Sequence, residues 1–85
     1  MVAPAIASDD VPLIPSRPEE RERLLRYDPA VSSTVNRKRI HARFWSRARQ
    51  ESRGRGDSAD VAAEEASRAA AWAMDEFATR YCDYE

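Results

Sequence analysis

The apolar positions in the last third of the chain recur at helical spacing. At 100° per residue they fall within an arc of about 120°, which is the stripe of a helix that faces a core. Alanines fill the start of this stripe and aromatic residues fill its end. The pattern predicts a helix over residues 58–83 that packs closely at one end and needs bulky partners at the other. The stripe consists of Ala62, Ala66, Ala69, Ala70, Ala73, Phe77, Tyr81 and Tyr84.

A second and broader apolar pattern precedes it and predicts a helix over residues 29–53. One strip is formed by Ile40, Phe44 and Ala48, and a second apolar group lies round another side of the same helix. A single hairpin cannot cover both sides, so the N-terminal segments or another chain must cover the second group. That group consists of Val31, Val35, Ala42 and Trp45.

The helix boundaries follow from prolines, glycines and capping residues. A short helix is predicted over residues 18–27, and Pro29 ends it because the residue before a proline avoids the helical conformation. Pro29 also suits the first position of the second helix. The glycine-bearing stretch 54–57 predicts the turn into the third helix. The candidate caps of the three helices are Ser16, Asp28, and Asp57 or Ser58.

The first 17 residues hold three of the five prolines and show no helical period, which predicts an extended arm. This arm is either a disordered tail or a segment that lies in a groove, on a partner or on the helices, through Val11, Leu13 and Ile14. Residues 18–85 are predicted to form one helical domain. The fold class is therefore all-α: a long antiparallel helical hairpin with a short N-terminal helix and an extended, proline-containing arm.

The amino-acid composition excludes several kinds of functional site. The 85 residues include one cysteine, one histidine and two glycines, which excludes a disulfide framework, a cysteine zinc site and glycine-rich phosphate loops. We therefore expect no cofactor, no metal and no small-molecule substrate. The N-terminus lacks the basic region of a signal peptide, and no apolar run approaches the length of a membrane span. These features predict a cytoplasmic protein that does not enter a membrane.

The formal net charge of −1 conceals a segregation of charge along the chain. Residues 1–36 carry −2, residues 37–56 carry +7 and residues 57–85 carry −6. Because the last two blocks fall on adjacent helices of the predicted hairpin, we expect part of the charge to be neutralised within the molecule.

Aromatic residues are numerous for so short a chain, which buries its own surface poorly. We therefore predict a small non-catalytic protein–protein interaction module that docks on a larger protein or assembly, as an accessory subunit, an adaptor or an inhibitor, or that self-associates. Trp72 either covers the first helix or contacts the partner, because tryptophan is frequent at binding hot spots. The predicted partner-binding residues are Phe44, Trp45, Trp72, Phe77 and Tyr81.

An alternative function is DNA or RNA binding through the arginine-rich second helix. Arginine, asparagine and glutamine suit contacts with base edges, and a helix fits the major groove. The acidic third helix and a pI of about 5.8 weigh against it, and a solvated or acid-paired basic face explains the same pattern. The residues of this predicted face are Asn36, Arg39, Arg43, Arg47 and Gln50.

No catalytic group is evident. His41 is the sole imidazole, and no serine or cysteine has an evident relation to it. The sequence Arg55-Gly56-Asp57 spells a cell-adhesion tripeptide, but three residues carry little specificity, and a turn with a helix cap explains them. We therefore expect that the protein is not an enzyme.

Overall fold

A computed structural model describes residues 12–81, and three helices make up most of this part of the chain. They are α1 (Pro18–Leu24), α2 (Ser33–Gly54) and α3 (Ala59–Tyr81). The two long helices pack along each other as a hairpin, and the described residues contain no strand. The all-α class and the helical hairpin are thus confirmed.

Helix α2 begins at Ser33, so the predicted start at Pro29 is wrong. The Ser32 hydroxyl caps the helix, accepting a hydrogen bond from the Val35 amide at 3.2 Å. Asp28 caps a turn instead, because its carboxylate accepts from the Ala30 amide at 2.9 Å. Asp28 and a following proline favour such a side-chain turn as well as a helix start, and the turn prevails here.

Helix α1 ends at Leu24 rather than at the predicted residue 27, and it begins without a side-chain cap from the predicted Ser16. The carbonyls of Leu24 and Arg26 accept hydrogen bonds from Arg43 of α2, at 2.9 and 3.1 Å. A distant side chain therefore satisfies carbonyls at the end of the helix. Tyr27 leaves the helix and lies against Tyr81, with ring centroids 4.6 Å apart.

The turn between the long helices uses both predicted capping candidates, in different roles. The Ser58 hydroxyl accepts from the Val61 amide at 3.3 Å and caps α3. The Asp57 carboxylate accepts from the Ser52 hydroxyl and the Arg55 guanidinium, each at 2.6 Å. Those two hydrogen bonds lower the pKa of Asp57. The predicted end of the third helix at residue 83 and the stripe residue Tyr84 lie outside the described residues.

The core follows two apolar stripes that meet along the hairpin. Every fourth residue of α2 is buried, from Asn36 to Ser52, and this spacing makes a ridge along the helix. The facing stripe of α3 matches the prediction as far as Phe77. The alanines let the helices approach closely near the turn, and the bulky side chains fill the other end. The buried hydrophobic residues are Leu25, Ile40, Phe44, Ala48, Ala62, Ala66, Ala69, Ala70, Ala73 and Phe77.

The described end of the arm, residues 12–17, is not helical and packs on the molecule itself. Leu13 and Ile14 contact the alanine part of the core, and Pro15 is buried. The Arg21 guanidinium fixes the segment by donating to the carbonyls of Pro15 and Ser16, at 3.0 and 2.9 Å. Of the two predicted roles for the arm, packing on the helices therefore holds for these residues. Val11 lies outside the described part.

Candidate interaction surface

Helix α2 presents different rows of side chains to its two flanks. Residues four apart share a row, so the row that contains Arg43 and Arg47 lies on one flank of the buried ridge, and the row that contains Trp45 lies on the other. We call the flank of Arg43 and Arg47 the clasped side of the hairpin, because α1 lies there. We call the flank of Trp45 the open side.

On the clasped side, the cations of α2 bind groups of the same chain. Besides the carbonyl contacts of Arg43, the Arg47 guanidinium lies 3.5 Å from Glu20 of α1 and 3.8 Å from Glu51. Burial is the main cause that lowers the pKa of Arg43, and the nearby charges of Arg26 and Arg39 add to it. These two arginines hold the short helix in place.

Helix α3 contributes to the clasped side through the row of Trp72, Glu76 and Arg80. The Arg80 guanidinium donates two hydrogen bonds to the Glu22 carboxylate of α1, at 2.7 and 2.8 Å, and also approaches Glu76 at 3.4 Å. A forked pair of this kind is the strong form of the arginine–carboxylate contact. It lowers the pKa of Glu22 and raises that of Arg80.

Asn36 is 1 % exposed and joins α2 to the segment that follows α1. Its side-chain oxygen accepts from the Asp28 amide at 2.7 Å, and its amide nitrogen donates to the Asp28 and Ser32 carbonyls at 2.9 and 3.0 Å. Its side-chain oxygen and its amide nitrogen are therefore both bound within the chain. The prediction that Asn36 lies on a face available to bases is wrong.

The other four residues of the predicted base-reading face do not form a continuous exposed surface. Arg43 is committed to the α1 carbonyls, Arg47 is half-buried, and Arg39 lies 3.7 Å from the Asp28 carboxylate. Gln50 is exposed. The arginines that sequence spacing placed on one surface are thus largely the residues that bind the N-terminal segments.

The predicted partner-binding aromatics are mostly core residues. Phe44 and Phe77 are 1 % and 5 % exposed, so neither is available on the surface. Trp72 is half-buried and lies 5.8 Å from the Phe44 ring, and Tyr81 lies 5.1 Å from the Phe77 ring. Among the described residues, the exposed large hydrophobic side chains are Val35 and Val61. The expectation of a surplus of aromatic surface is wrong for this part of the chain.

Trp45 is the predicted partner-binding residue that the structure places on the open side. It is half-buried against the alanine cluster of the core and lies in the middle of a basic row. Sequence reasoning missed this row, although its members recur at every fourth position. None of the cations in this row forms an ion pair with a described residue. The basic row is Arg37, His41, Trp45, Arg49 and Arg53.

Helix α3 carries a corresponding row of acidic and small residues on the edge that faces away from α2. It is half a turn from the buried stripe, all of its members are exposed, and its carboxylates form no ion pair within residues 12–81. Glu65 and Glu76, by contrast, pair with Arg68 and Arg80 of their own helix. The acidic row is Asp60, Glu64, Ser67, Ala71 and Asp75.

Part of the charge is neutralised within the molecule, as predicted, but in the described part of the chain this does not happen between the two long helices. No ion pair there joins α2 to α3. The paired cations of the two helices bind carboxylates of α1, of the segment that follows it or of their own helix. Arg55, in the connecting turn, binds Asp57 of the same turn. The charged residues of the basic row and of the acidic row are thus exposed and form no ion pair with a described residue.

Comparison of the chain with protein-family models, with curated proteins and with solved structures gives no significant match. Residues 12–81 contain no group of three histidine, cysteine, aspartate or glutamate side chains placed to hold a metal ion. None of the three helices is both long enough and apolar enough to cross a bilayer.

Proposed function

We propose that the chain is a small non-catalytic interaction module of the cytoplasm, which docks through the open side of its hairpin. It would act there as an accessory subunit, an adaptor or an inhibitor. The observation that carries the proposal is the basic row, in which Arg37, Arg49 and Arg53 form no ion pair with a described residue and Arg53 donates to the Asp57 carbonyl of the turn. The clasped-side arginines Arg43 and Arg47, by contrast, bind groups of the N-terminal segments. Trp45 in the centre of the row supplies apolar contact area, and tryptophan and arginine are the side chains most enriched at binding hot spots.

The side chains of the basic row indicate what kind of surface the partner must present. Arginines at both ends require carboxylates or other anions, and an indole between them requires an apolar or small-residue surface. A protein surface that combines acidic and small side chains meets both needs.

A capture experiment tests this proposal. The full chain, fixed through its N-terminus, is exposed to an extract of its native host with and without nuclease treatment. We expect a protein that survives the nuclease and that the Trp45→Ala and Arg49→Ala variants lose. The matched control is Arg23→Ala, which removes an exposed arginine of α1 away from the row and keeps the protein bound.

Nucleic acid is the alternative partner of the same row, and the experiment separates the two. If nuclease abolishes capture, and if binding to duplex DNA falls steeply with salt, the row contacts phosphates and the proposed protein partner is wrong. Capture that is identical for all variants would also contradict the proposal.

A further inference from the structure

The basic row and the acidic row match each other in length and order. At 1.5 Å per residue, Arg37 to Arg53 extends over about 24 Å and Asp60 to Asp75 over about 22 Å. When the two rows are set side by side in opposite directions, each terminal charge meets its opposite. The facing pairs are Arg53 with Asp60, Arg49 with Glu64, and Arg37 with Asp75.

The side chains at the centres of the two rows also complement each other in size, because a large one faces small ones. Trp45 is opposite Ser67 and near Ala71, the small members of the acidic row. Small side chains let a neighbouring helix approach closely and leave space for an indole ring. The acidic row therefore has both properties, carboxylates and small residues, that the basic row requires of its partner.

The two rows of one chain cannot meet each other. The basic row lies on the open side of α2, whereas the acidic row lies on the edge of α3 that faces away from α2. We therefore propose that the partner is a second copy of this chain, whose acidic row docks on the basic row of the first. This inference rests on the proposed function, because it names the occupant of the same open side.

Such a contact joins two different patches and cannot be reciprocal within one pair. When the outer edge of α3 from the second copy lies on the open side of the first, the α2 helix of the second copy lies behind it. Its basic row is then out of reach of the first copy's acidic row. Each pair keeps one free row of each kind, so the contacts close into a ring or extend into a chain.

Sedimentation of the full chain over micromolar to millimolar concentrations tests the inference. We expect an assembly of more than two copies that dissociates as salt is raised, because the facing charges are exposed. The base-reversed variant is Arg37→Glu with Arg49→Glu, and the acid-reversed variant is Glu64→Arg with Asp75→Arg. Each should weaken self-association by more than about tenfold and retain the helical circular dichroism. The control, Arg23→Glu with Arg26→Glu, makes the same charge change on the clasped side and should assemble normally.

Mixing the two reversed variants gives the decisive result. The base-reversed variant keeps its acidic row, and the acid-reversed variant keeps its basic row, so together they form one intact contact. The two reversed rows also carry opposite charges at their facing positions, so we expect the mixture to regain an assembly of more than two copies in which the variants alternate and which neither variant forms alone. A wild-type chain that stays monomeric at low salt, or a mixture that does not pair, overturns the inference. If the chain is monomeric but still captures another protein through Trp45, the inference fails while the proposed function stands.

Discussion

The two tryptophans show how differently the two sides of the hairpin are built. Trp72 lies on the clasped side, where its ring contacts Phe44 and its row continues to Arg80, which holds α1. Trp45 is also half-buried, but its row continues to arginines without an ion-pair partner among the described residues. The same side-chain types therefore hold α1 on one side and form the interface that we propose on the other. What distinguishes them is which flank the N-terminal segments cover.

Removing the apolar anchor of the clasped side should produce the largest effect on stability. Leu25 is 1 % exposed and follows α1 directly, so it ties that helix to the core of the hairpin. Leu25→Ala should lower the free energy of unfolding by about 2–5 kcal/mol, as a leucine truncated in a core does. Urea unfolding monitored by circular dichroism measures it. Val61→Ala, at an exposed valine, is the control, and equal losses would show that α1 is not anchored in this way.

A smaller loss should follow from Asn36→Ala. The alanine cannot bind the Asp28 amide or the Asp28 and Ser32 carbonyls, so these partly buried backbone groups lose their side-chain partner. An unsatisfied buried group costs about 1–3 kcal/mol, and unfolding in urea should show that decrease. Arg37→Ala changes the next residue, on the open side, and should leave stability nearly unchanged. If both variants unfold alike, the Asn36 bridge contributes nothing.

The sequence predicts the hairpin well because the apolar stripes of both long helices have a regular period. It predicts the role of the arginines poorly because that role depends on where α1 lies. Arg43 and Arg49 look alike along the chain, yet one binds carbonyls 17 and 19 residues earlier and the other faces solvent. Spacing fixes the row to which a residue belongs, but only the packing of distant segments determines which row is covered.

The start of α2 shows the same limit at short range. Asp28 followed by Pro29 is compatible with a helix start and with a side-chain turn. The turn prevails in a structure in which Asn36, eight residues later, binds the backbone of Asp28. The Asp28-Pro29 pair is therefore compatible with two local structures, and the contact with Asn36 accompanies the turn that is observed.

The tryptophans themselves allow a direct comparison of the two sides. Trp72→Ala should destabilise the monomer more than Trp45→Ala, because Trp72 also loses its contact with the Phe44 ring. An aromatic pair contributes about 0.5–1.5 kcal/mol beyond area burial, and this is the expected difference between the variants. Unfolding at a concentration where the chain is monomeric measures it. A larger loss for Trp45→Ala would place that residue in the monomer core and weaken its assignment to an interface.

The smallest expected effect is on the pH dependence of stability, through the Glu22–Arg80 pair that joins α1 to α3. The hydrogen bonds from Arg80 lower the pKa of Glu22, so the unfolded chain takes up a proton at this site at a higher pH than the folded chain. The stabilisation is therefore present above the unfolded pKa of Glu22 and is lost as the pH falls through its folded pKa. Glu22→Gln should flatten the acid limb of the thermal stability curve slightly.

The comparison that isolates this effect uses a neighbouring carboxylate. Glu19→Gln changes an exposed residue of α1 that forms no ion pair with a described residue, and it should leave the acid limb as in the wild type. Asp57, whose pKa is also lowered, loses its contribution in the same direction in every variant, so only the difference between the two curves reports on Glu22. Curves that coincide would mean that the forked contact between Glu22 and Arg80 adds nothing, and that the apolar contacts of Leu25 hold α1 without it.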